Sequence, residues 1–123
     1  MKVAEVMTKA PEVIKANESV LNAAKRLAEH DIGALPVEKD DRLIGMLTDR
    51  DIVTRVIAKN RNPANTPVEE VATKGAKYCF DDEDCAHVAE NMDELQVRRL
   101  PVMNRAKRLV GIVSIEDIRP REH

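Results

Sequence analysis

The sequence predicts an α/β (α+β) fold built from two βαββα repeats. The chain aligns with itself at an offset of 65 residues, and eleven of the 35 positions between 3–37 and 68–102 are identical. Each copy also alternates short apolar runs with helix-like patterns. Because a copy of about 55 residues cannot bury its sheet face alone, we expect the two copies to pack sheet to sheet with pseudo-two-fold symmetry, leaving two related clefts.

The repeat boundaries follow from this self-alignment. The first repeat covers 1–58 and the second covers 68–123, with one inserted residue in the second hairpin that shifts the offset to 66. The stretch between them, 59–67, is polar and contains Pro63 and Pro67. Proline fixes φ and lacks an N–H group, so this stretch is predicted to be a linker.

Periodicity places the elements inside each copy. In the first copy, apolar residues at helical spacing predict a helix from about 18 to 30, capped by Asn17 or Ser19. Apolar runs at 34–37 and 43–47 surround a charged turn and predict a hairpin. A last helix follows, with apolar positions at Ile52, Val53, Val56 and Ile57, and the second copy repeats the pattern with Cys85, Val88, Ala89 and Met92.

Composition excludes several classes of function. The 20 Lys and Arg nearly balance the 22 Asp and Glu, and the aromatic residues are one Tyr and one Phe, so the sequence predicts no nucleic acid as ligand. Its apolar runs are too short for a membrane span, and its start turns charged before a signal sequence could form. We therefore expect a cytoplasmic protein with no membrane partner, in which Cys79 and Cys85 are core residues of a reducing compartment.

Each copy repeats one chemical motif after its third strand. Gly45, Thr48 and Asp51 recur as Gly111, Ser114 and Asp117. A hydroxyl residue followed three positions later by an acid is typical of a helix capping box, which needs no ligand. The same pair at a strand-to-helix junction also suits a ligand site, since a carboxylate can accept hydrogen bonds from both hydroxyls of a ribose. Both interpretations stay open here.

These motifs, with segments 30–37 and 96–102, resemble the tandem CBS module, also called a Bateman module, over about residues 3–118. The sequence is most similar to stand-alone bacterial tandem-CBS proteins of the hypoxic-response type. The resemblance implies a regulatory module that binds AMP, ADP, ATP or S-adenosylmethionine and acts as an energy or metabolite sensor through a homodimer. The regulated protein is unknown, and no cofactor is expected beyond the adenine nucleotide as candidate regulatory ligand.

The resemblance also assigns site residues. Thr48 with Asp51 and Ser114 with Asp117 would hold ribose hydroxyls, and Met46 and Ile112 would border the adenine. The opening strand, Ile14, Lys15 and Ala16, would line the pocket, while Arg98 and Arg99 stand where family members often place a cation for phosphate. The alternative for the two arginines is a solvated strand end paired to nearby acids.

The two copies differ at these positions. Gly33 and Ala34 replace the arginine pair in the first copy, and Glu116 stands where the first copy has Arg50. One cleft is therefore expected to accept phosphate and the other a neutral adenosyl group or nothing, with no basis for choosing between them.

No catalytic residues and no metal site are predicted. The three histidines lack the spacing that brings two metal ligands onto one helical face, and neither serine lies in a nucleophile elbow. We expect a protein that is not an enzyme. The alternative to the sensor is a ligand-free dimeric interaction scaffold whose Ser/Thr-x-x-Asp motifs are only helix caps.

Overall fold

The computed structural model describes residues 1–9, 11–75 and 77–119, and its elements confirm the expected α/β class. Chain order is β1 (Thr8–Lys9), β2 (Ile14–Lys15), α1 (Val20–His30), β3 (Ala34–Lys39), β4 (Arg42–Thr48), α2 (Asp49–Ile52), β5 (Thr73–Lys74), β6 (Cys79–Phe80), α3 (Cys85–Leu95), β7 (Arg99–Met103), β8 (Leu109–Ser114) and α4 (Ile115–Ile118). A π-helical turn, Val53–Ile57, continues α2, and short 3-10 turns cover Val3–Glu5, Pro63–Asn65 and Val68–Glu70.

The chain forms two compact units that do not follow the order of the repeats. The first unit is Glu12–Ala76, and the second unit combines Met1–Pro11 with Lys77–His123. The first unit holds a sheet of order β2-β3-β4-β5, and the second holds a sheet of order β1-β8-β7-β6. The opening segment of each repeat is therefore part of the sheet that the other repeat builds. The sequence boundaries 1–58, 59–67 and 68–123 remain a prediction about the repeats, and residues 120–123 lie outside the described ones.

Helices α1 and α3 begin and end alike. The Ser19 side chain accepts a hydrogen bond from the Asn22 N–H at the start of α1, and Asp84 accepts one from Ala86 at the start of α3. Each helix ends on a residue with positive φ, Asp31 at 51° and Gln96 at 57°. The following N–H groups return to the last helical turn, and α1 ends at His30, where the sequence pattern predicts.

A tight hairpin joins β3 to β4 in the first unit. Asp40 and Asp41 both have positive φ, at 53° and 61°, as a two-residue turn between twisted strands requires. The hairpin sets a register in which Ala34 lies opposite Thr48 and Val37 lies opposite Gly45. The end of β4 is thereby fixed against the start of β3.

Each unit has its own apolar core, and each core includes residues of an opening segment. Val68, Val71 and Ala72 are buried in the first unit, among residues such as Leu35 and Leu47. In the second unit, Val3 is fully buried and packs with Val102, Val113, Leu100, Val88 and Met92. A fully buried valine contributes about 1.5–3 kcal/mol, so the exchanged segments add measurably to the stability of both units.

The two motif glycines make this exchange possible. Strand β5 pairs with β4 at Gly45, and β1 pairs with β8 at Gly111. A Cβ atom at Gly45 would overlap the carbonyl oxygen of Thr73, and one at Gly111 would lie 2.8 Å from the carbonyl oxygen of Thr8. Both glycines are needed because another backbone passes too close for a side chain.

No helix among the described residues is long and apolar enough to cross a membrane. Cys79 and Cys85 are free and buried, as expected of core residues. Burial, reinforced by the Glu83 charge, raises the pKa of the Cys79 thiol to about 12, and burial also raises the pKa of Cys85. Both side chains are therefore neutral thiols near pH 7.

Replacing either glycine by alanine should destabilise the protein. We expect Gly45→Ala and Gly111→Ala each to lower the free energy of unfolding by about 1–3 kcal/mol, because the new methyl group must push a neighbouring backbone away. Gly45→Ala should cost more, since part of the crowding at Gly111 comes from the flexible Met7 side chain. Urea unfolding monitored by circular dichroism measures both changes, and two variants as stable as the parent protein would contradict the close approach.

The buried thiols should resist labelling in the folded protein. At pH 7.5 we expect Cys79 to react with Ellman's reagent far more slowly than in guanidinium chloride, because its thiolate form is rare and its side chain is 2% exposed. The Cys85→Ala variant isolates the Cys79 signal. Equal labelling rates in the folded and unfolded protein would show that the core does not protect this side chain.

Candidate functional site

The first candidate site lies where β4 runs into α2. Thr48 accepts a hydrogen bond from the Asp51 N–H at 3.1 Å through Oγ1, and its own N–H donates to Asp51 Oδ2 at 3.0 Å. These reciprocal bonds form a complete capping box. Asp51 is 8% exposed, so its carboxylate is held in one position at the edge of the sheet.

Asp51 has a further neighbour that the sequence analysis missed. Arg55 Nη1 lies 3.7 Å from Asp51 Oδ1, and the same nitrogen donates to the Val71 carbonyl oxygen at 2.9 Å and to Thr73 Oγ1 at 3.2 Å. Arg55 thus links the Asp51 carboxylate to the chain segment that enters β5. The spacing of four residues between Asp51 and Arg55 on a helix was the available signal.

The second candidate site repeats this arrangement where β8 meets α4. The Ser114 N–H donates to Asp117 Oδ2 at 2.9 Å, and the Asp117 N–H donates to Ser114 Oγ at 3.1 Å. Asp117 is half-buried. Its Oδ1 atom accepts no hydrogen bond from the described residues, so capping leaves part of this carboxylate available.

The apolar residues assigned to adenine lie beside these pairs. Met46 and Ile112 are half-buried and precede Thr48 and Ser114 by two positions on β4 and β8. Because side chains alternate along a strand, each shares a sheet face with the hydroxyl residue that follows it. Both sites therefore combine an apolar side chain, a hydroxyl and a carboxylate.

Arg98 and Arg99 lie next to the second site. The Arg98 carbonyl oxygen accepts a hydrogen bond from the Ile115 N–H at 2.8 Å, and Arg99 lies opposite Ser114 in the strand register. The Arg98 guanidinium donates to the Glu116 carboxylate, as the alternative interpretation of the arginines anticipated. This hydrogen bond is the main cause that holds the pKa of Glu116 below its usual range. Arg99 is exposed and has no ion-pair partner in the described part of the chain.

The structure does not bring Ile14, Lys15 and Ala16 to the Thr48–Asp51 pair within the first unit. Ile14 lies opposite Val37, which lies opposite Gly45. Two strand spacings and three residues along β4 therefore separate Ile14 from Thr48, about 14 Å in a regular sheet. Ile14 is fully buried, Ala16 is 3% exposed and Lys15 points to solvent.

Lys15 and Ala16 instead line a cleft at the hairpin end of the sheet. Its volume is about 350 Å³, and its other lining residues are Asn17, Glu38, Lys39, Asp40, Asp41 and Glu69. Lys39 Nζ lies 3.4 Å from Glu69 Oε2, so part of this charge is paired internally. Among the residues that the structure describes, no group of three His, Cys, Asp or Glu side chains could hold a metal ion.

Comparison with known proteins places both repeats in one family. The family model described as "CBS domain" matches residues 3–58 and 68–121. Hypoxic response protein 1 of Mycobacterium tuberculosis (strain ATCC 25618 / H37Rv) is 40% identical over 115 residues, which are 93% of this chain and 80% of that protein. These matches confirm the resemblance drawn from the sequence motifs.

Two solved structures are similar over nearly the whole chain. The crystal structure of Hypoxic Response Protein I with two coordinated zinc ions has a TM-score of 0.88 and 38% identity, covering 98% of both chains. The CBS domain pair of protein MJ0100, in complex with 5′-methylthioadenosine and S-adenosyl-L-methionine, has a TM-score of 0.84 and 33% identity, covering 96% of this chain and 92% of that one.

The Arg98–Glu116 pair can be tested by titration. We expect the Glu116 carboxyl pKa to lie below that of a free glutamate and to rise in the Arg98→Gln variant. A depressed folded-state pKa means that the pair stabilises the fold above the unfolded-state pKa and that this contribution is lost as the pH falls through the folded-state value. Carbon-detected NMR of the Glu116 side-chain carboxyl measures this pKa directly in both proteins. A Glu116 pKa that is the same in both proteins would show that the pair does not form in solution.

Proposed function

Because this chain belongs to the CBS-domain family and carries two copies of the domain, we propose that it is a regulatory module that binds adenosine-containing ligands. The candidates are AMP, ADP, ATP and S-adenosylmethionine, and the module acts as an energy or metabolite sensor. It is not an enzyme in this proposal, and it works in the cytoplasm, where its two free cysteines stay reduced. The protein that it regulates is not identified.

The observation that carries the proposal is the repeated grouping at the strand-to-helix junctions. In both units a carboxylate and a hydroxyl are held by two reciprocal hydrogen bonds next to a half-buried apolar side chain. A nucleoside presents matching groups, since its base is flat and largely apolar and its ribose carries two hydroxyls. The complex of MJ0100 with two adenosyl compounds supports the same ligand class for a similar chain.

Capping and ligand binding are compatible in this geometry. Each capping box occupies one carboxylate oxygen, Oδ2, with one backbone N–H group. A carboxylate offers about four acceptor positions, so Asp51 and Asp117 can still accept hydrogen bonds from ribose hydroxyls. The cap also fixes the carboxylate before a ligand arrives, which lowers the entropy cost of binding.

A homodimer is part of the proposal. Val53 and Ile57 follow α2 four residues apart and are 58% and 57% exposed, although both are large and apolar. A second copy of the chain would cover such a pair. Pairing of two copies would also give a ligand a way to act, by changing the stability or shape of the dimer.

The scaffold alternative rests on the same capping boxes. Both are complete without a ligand, and among the described residues every fully buried polar side-chain atom has a hydrogen-bond partner. A dimer whose Thr48 and Ser114 serve only as caps would satisfy these observations. It differs from the sensor in one measurable respect, because it gains no stability from adenosyl compounds.

Thermal unfolding in the presence of AMP, ADP, ATP and S-adenosylmethionine tests the proposal. A ligand that binds only the folded state adds about 2.7 kcal/mol at 100 times its dissociation constant, which a melting curve resolves. We expect at least one of the four compounds to raise the melting temperature. The combined Asp51→Ala and Asp117→Ala substitutions should abolish the increase.

A matched pair of cap variants separates the two candidate functions. Thr48→Ala and Ser19→Ala each remove a helix N-cap and should each cost about 1 kcal/mol without ligand. Only Thr48→Ala should also weaken the response to ligand, because Ser19 is outside both candidate sites. If no compound stabilises the parent protein, the sensor proposal fails and the scaffold remains.

A further inference from the structure

The position between the hydroxyl and the carboxylate carries opposite charges in the two candidate sites. Glu116 stands two residues after Ser114, and Arg50 stands two residues after Thr48. Both side chains are exposed at the first turn of a short helix that begins at the capping box. Each of them lies in the sequence between the hydroxyl residue and the acid that are proposed to hold a ribose.

Glu116 already forms an ion pair with a cation next to its own site, Arg98. The Arg98 guanidinium donates a hydrogen bond to the Glu116 carboxylate, and the two side chains are 75% and 61% exposed. The Glu116 carboxylate thus already binds one of the cations that a phosphorylated ligand would need at this site.

At the first site, the position that corresponds to Glu116 carries a cation, Arg50. Gly33 and Ala34 stand where the second repeat has Arg98 and Arg99, and Ala34 lies opposite Thr48 in the register. The Arg50 guanidinium makes no ion pair with any residue that the structure describes, although its backbone N–H donates to the Asp49 side chain. Arg50 therefore has no ion-pair partner among the described residues, and the carboxylates of Asp49 and Asp51 stand on either side of it in the sequence.

We infer that the residue at this position sets the charge of the ligand that each site accepts. Glu116 lowers the affinity of the Ser114–Asp117 site for adenosyl ligands that carry a phosphate, although the nearby Arg99 has no ion-pair partner among the described residues. Arg50 raises the affinity of the Thr48–Asp51 site for such ligands. The inference rests on the proposed function, because it assumes that both capping boxes bind adenosyl compounds. The sequence alone left open which of the two sites accepts a phosphate.

Electrostatics explains the selectivity. A phosphate at the second site must displace Glu116 from Arg98, and the released carboxylate then repels the doubly charged phosphate. Exposed charges interact weakly one pair at a time, but the phosphate carries two charges, so removing the Glu116 charge should change phosphate affinity about three- to tenfold. A ligand that ends in a hydroxyl or a thioether leaves the Arg98–Glu116 pair intact.

Adenosine and AMP form the sharpest pair of probes, because they differ only in the 5′-phosphate. Titrations followed by ¹H–¹⁵N NMR report each site separately through the backbone amides of Asp51 and Asp117. In the parent protein, we expect the ratio of AMP affinity to adenosine affinity to be higher at the Asp51 amide than at the Asp117 amide.

Three substitutions test the role of the charged position. Glu116→Gln should raise AMP affinity at the Asp117 amide about three- to tenfold and leave adenosine affinity within about twofold. Adding Arg98→Gln should cancel that gain, because the gain depends on a released Arg98. Arg50→Glu should lower AMP affinity at the Asp51 amide. Glu90→Gln, an equal charge change at an exposed position of α3, is the control and should alter neither site.

The outcomes separate this inference from the proposed function. If adenosine binds but Glu116→Gln and Arg50→Glu leave the ratio of AMP to adenosine affinity unchanged, the inference is overturned and the proposed function stands. If neither probe shifts either amide in the parent protein or in any variant, the inference is overturned, and the melting curves with ADP, ATP and S-adenosylmethionine decide the proposed function. Glu116 and Arg50 are exposed, so loss of folding does not complicate the comparison.

Discussion

The close approach of two backbones at Gly45 and Gly111 is the constraint on which the rest of the structure depends. Each glycine lets the opening strand of one repeat add to the edge of the sheet that the other repeat builds. That added strand brings buried residues such as Val3 and Val68 into the core. The added strand also pairs with the strand that leads into the capping box, which begins three residues after the glycine. The same pairing therefore contributes to the packing of each unit and to the position of its candidate site.

Sequence periodicity predicted the local elements well because their signals are local. The helix expected from about 18 to 30 is α1, Val20–His30, and the charged turn after residue 37 is the β3–β4 hairpin. The exchange of opening strands was not predictable, since β1 and β5 have two residues each and carry no periodic pattern. The sequence alignment found where the repeats lie, but it contained no information on which sheet their first residues join.

The candidate sites, too, were only partly predictable from the sequence. The hydroxyl and acid pairs, Thr48 with Asp51 and Ser114 with Asp117, were visible as a motif, and the structure holds each pair together through hydrogen bonds. The partners of the surrounding charges were not visible. Whether Arg98 pairs with Glu116, and whether Arg55 reaches Thr73, depends on side-chain directions that spacing alone does not determine. The motif therefore gave the residues that we propose as ribose contacts, and the structure was needed to infer the charge that each site prefers.

The exchanged strands also constrain how such a chain could have arisen. A single repeat on its own would lack one edge strand of its sheet and part of its core, and it would have to borrow both from another molecule. The simplest ancestor is thus a homodimer of short polypeptides that exchanged their opening strands. Tandem fusion of two gene copies would then have linked the two subunits covalently. Once the halves shared one polypeptide, each could change its charges independently, as Arg50 and Glu116 illustrate.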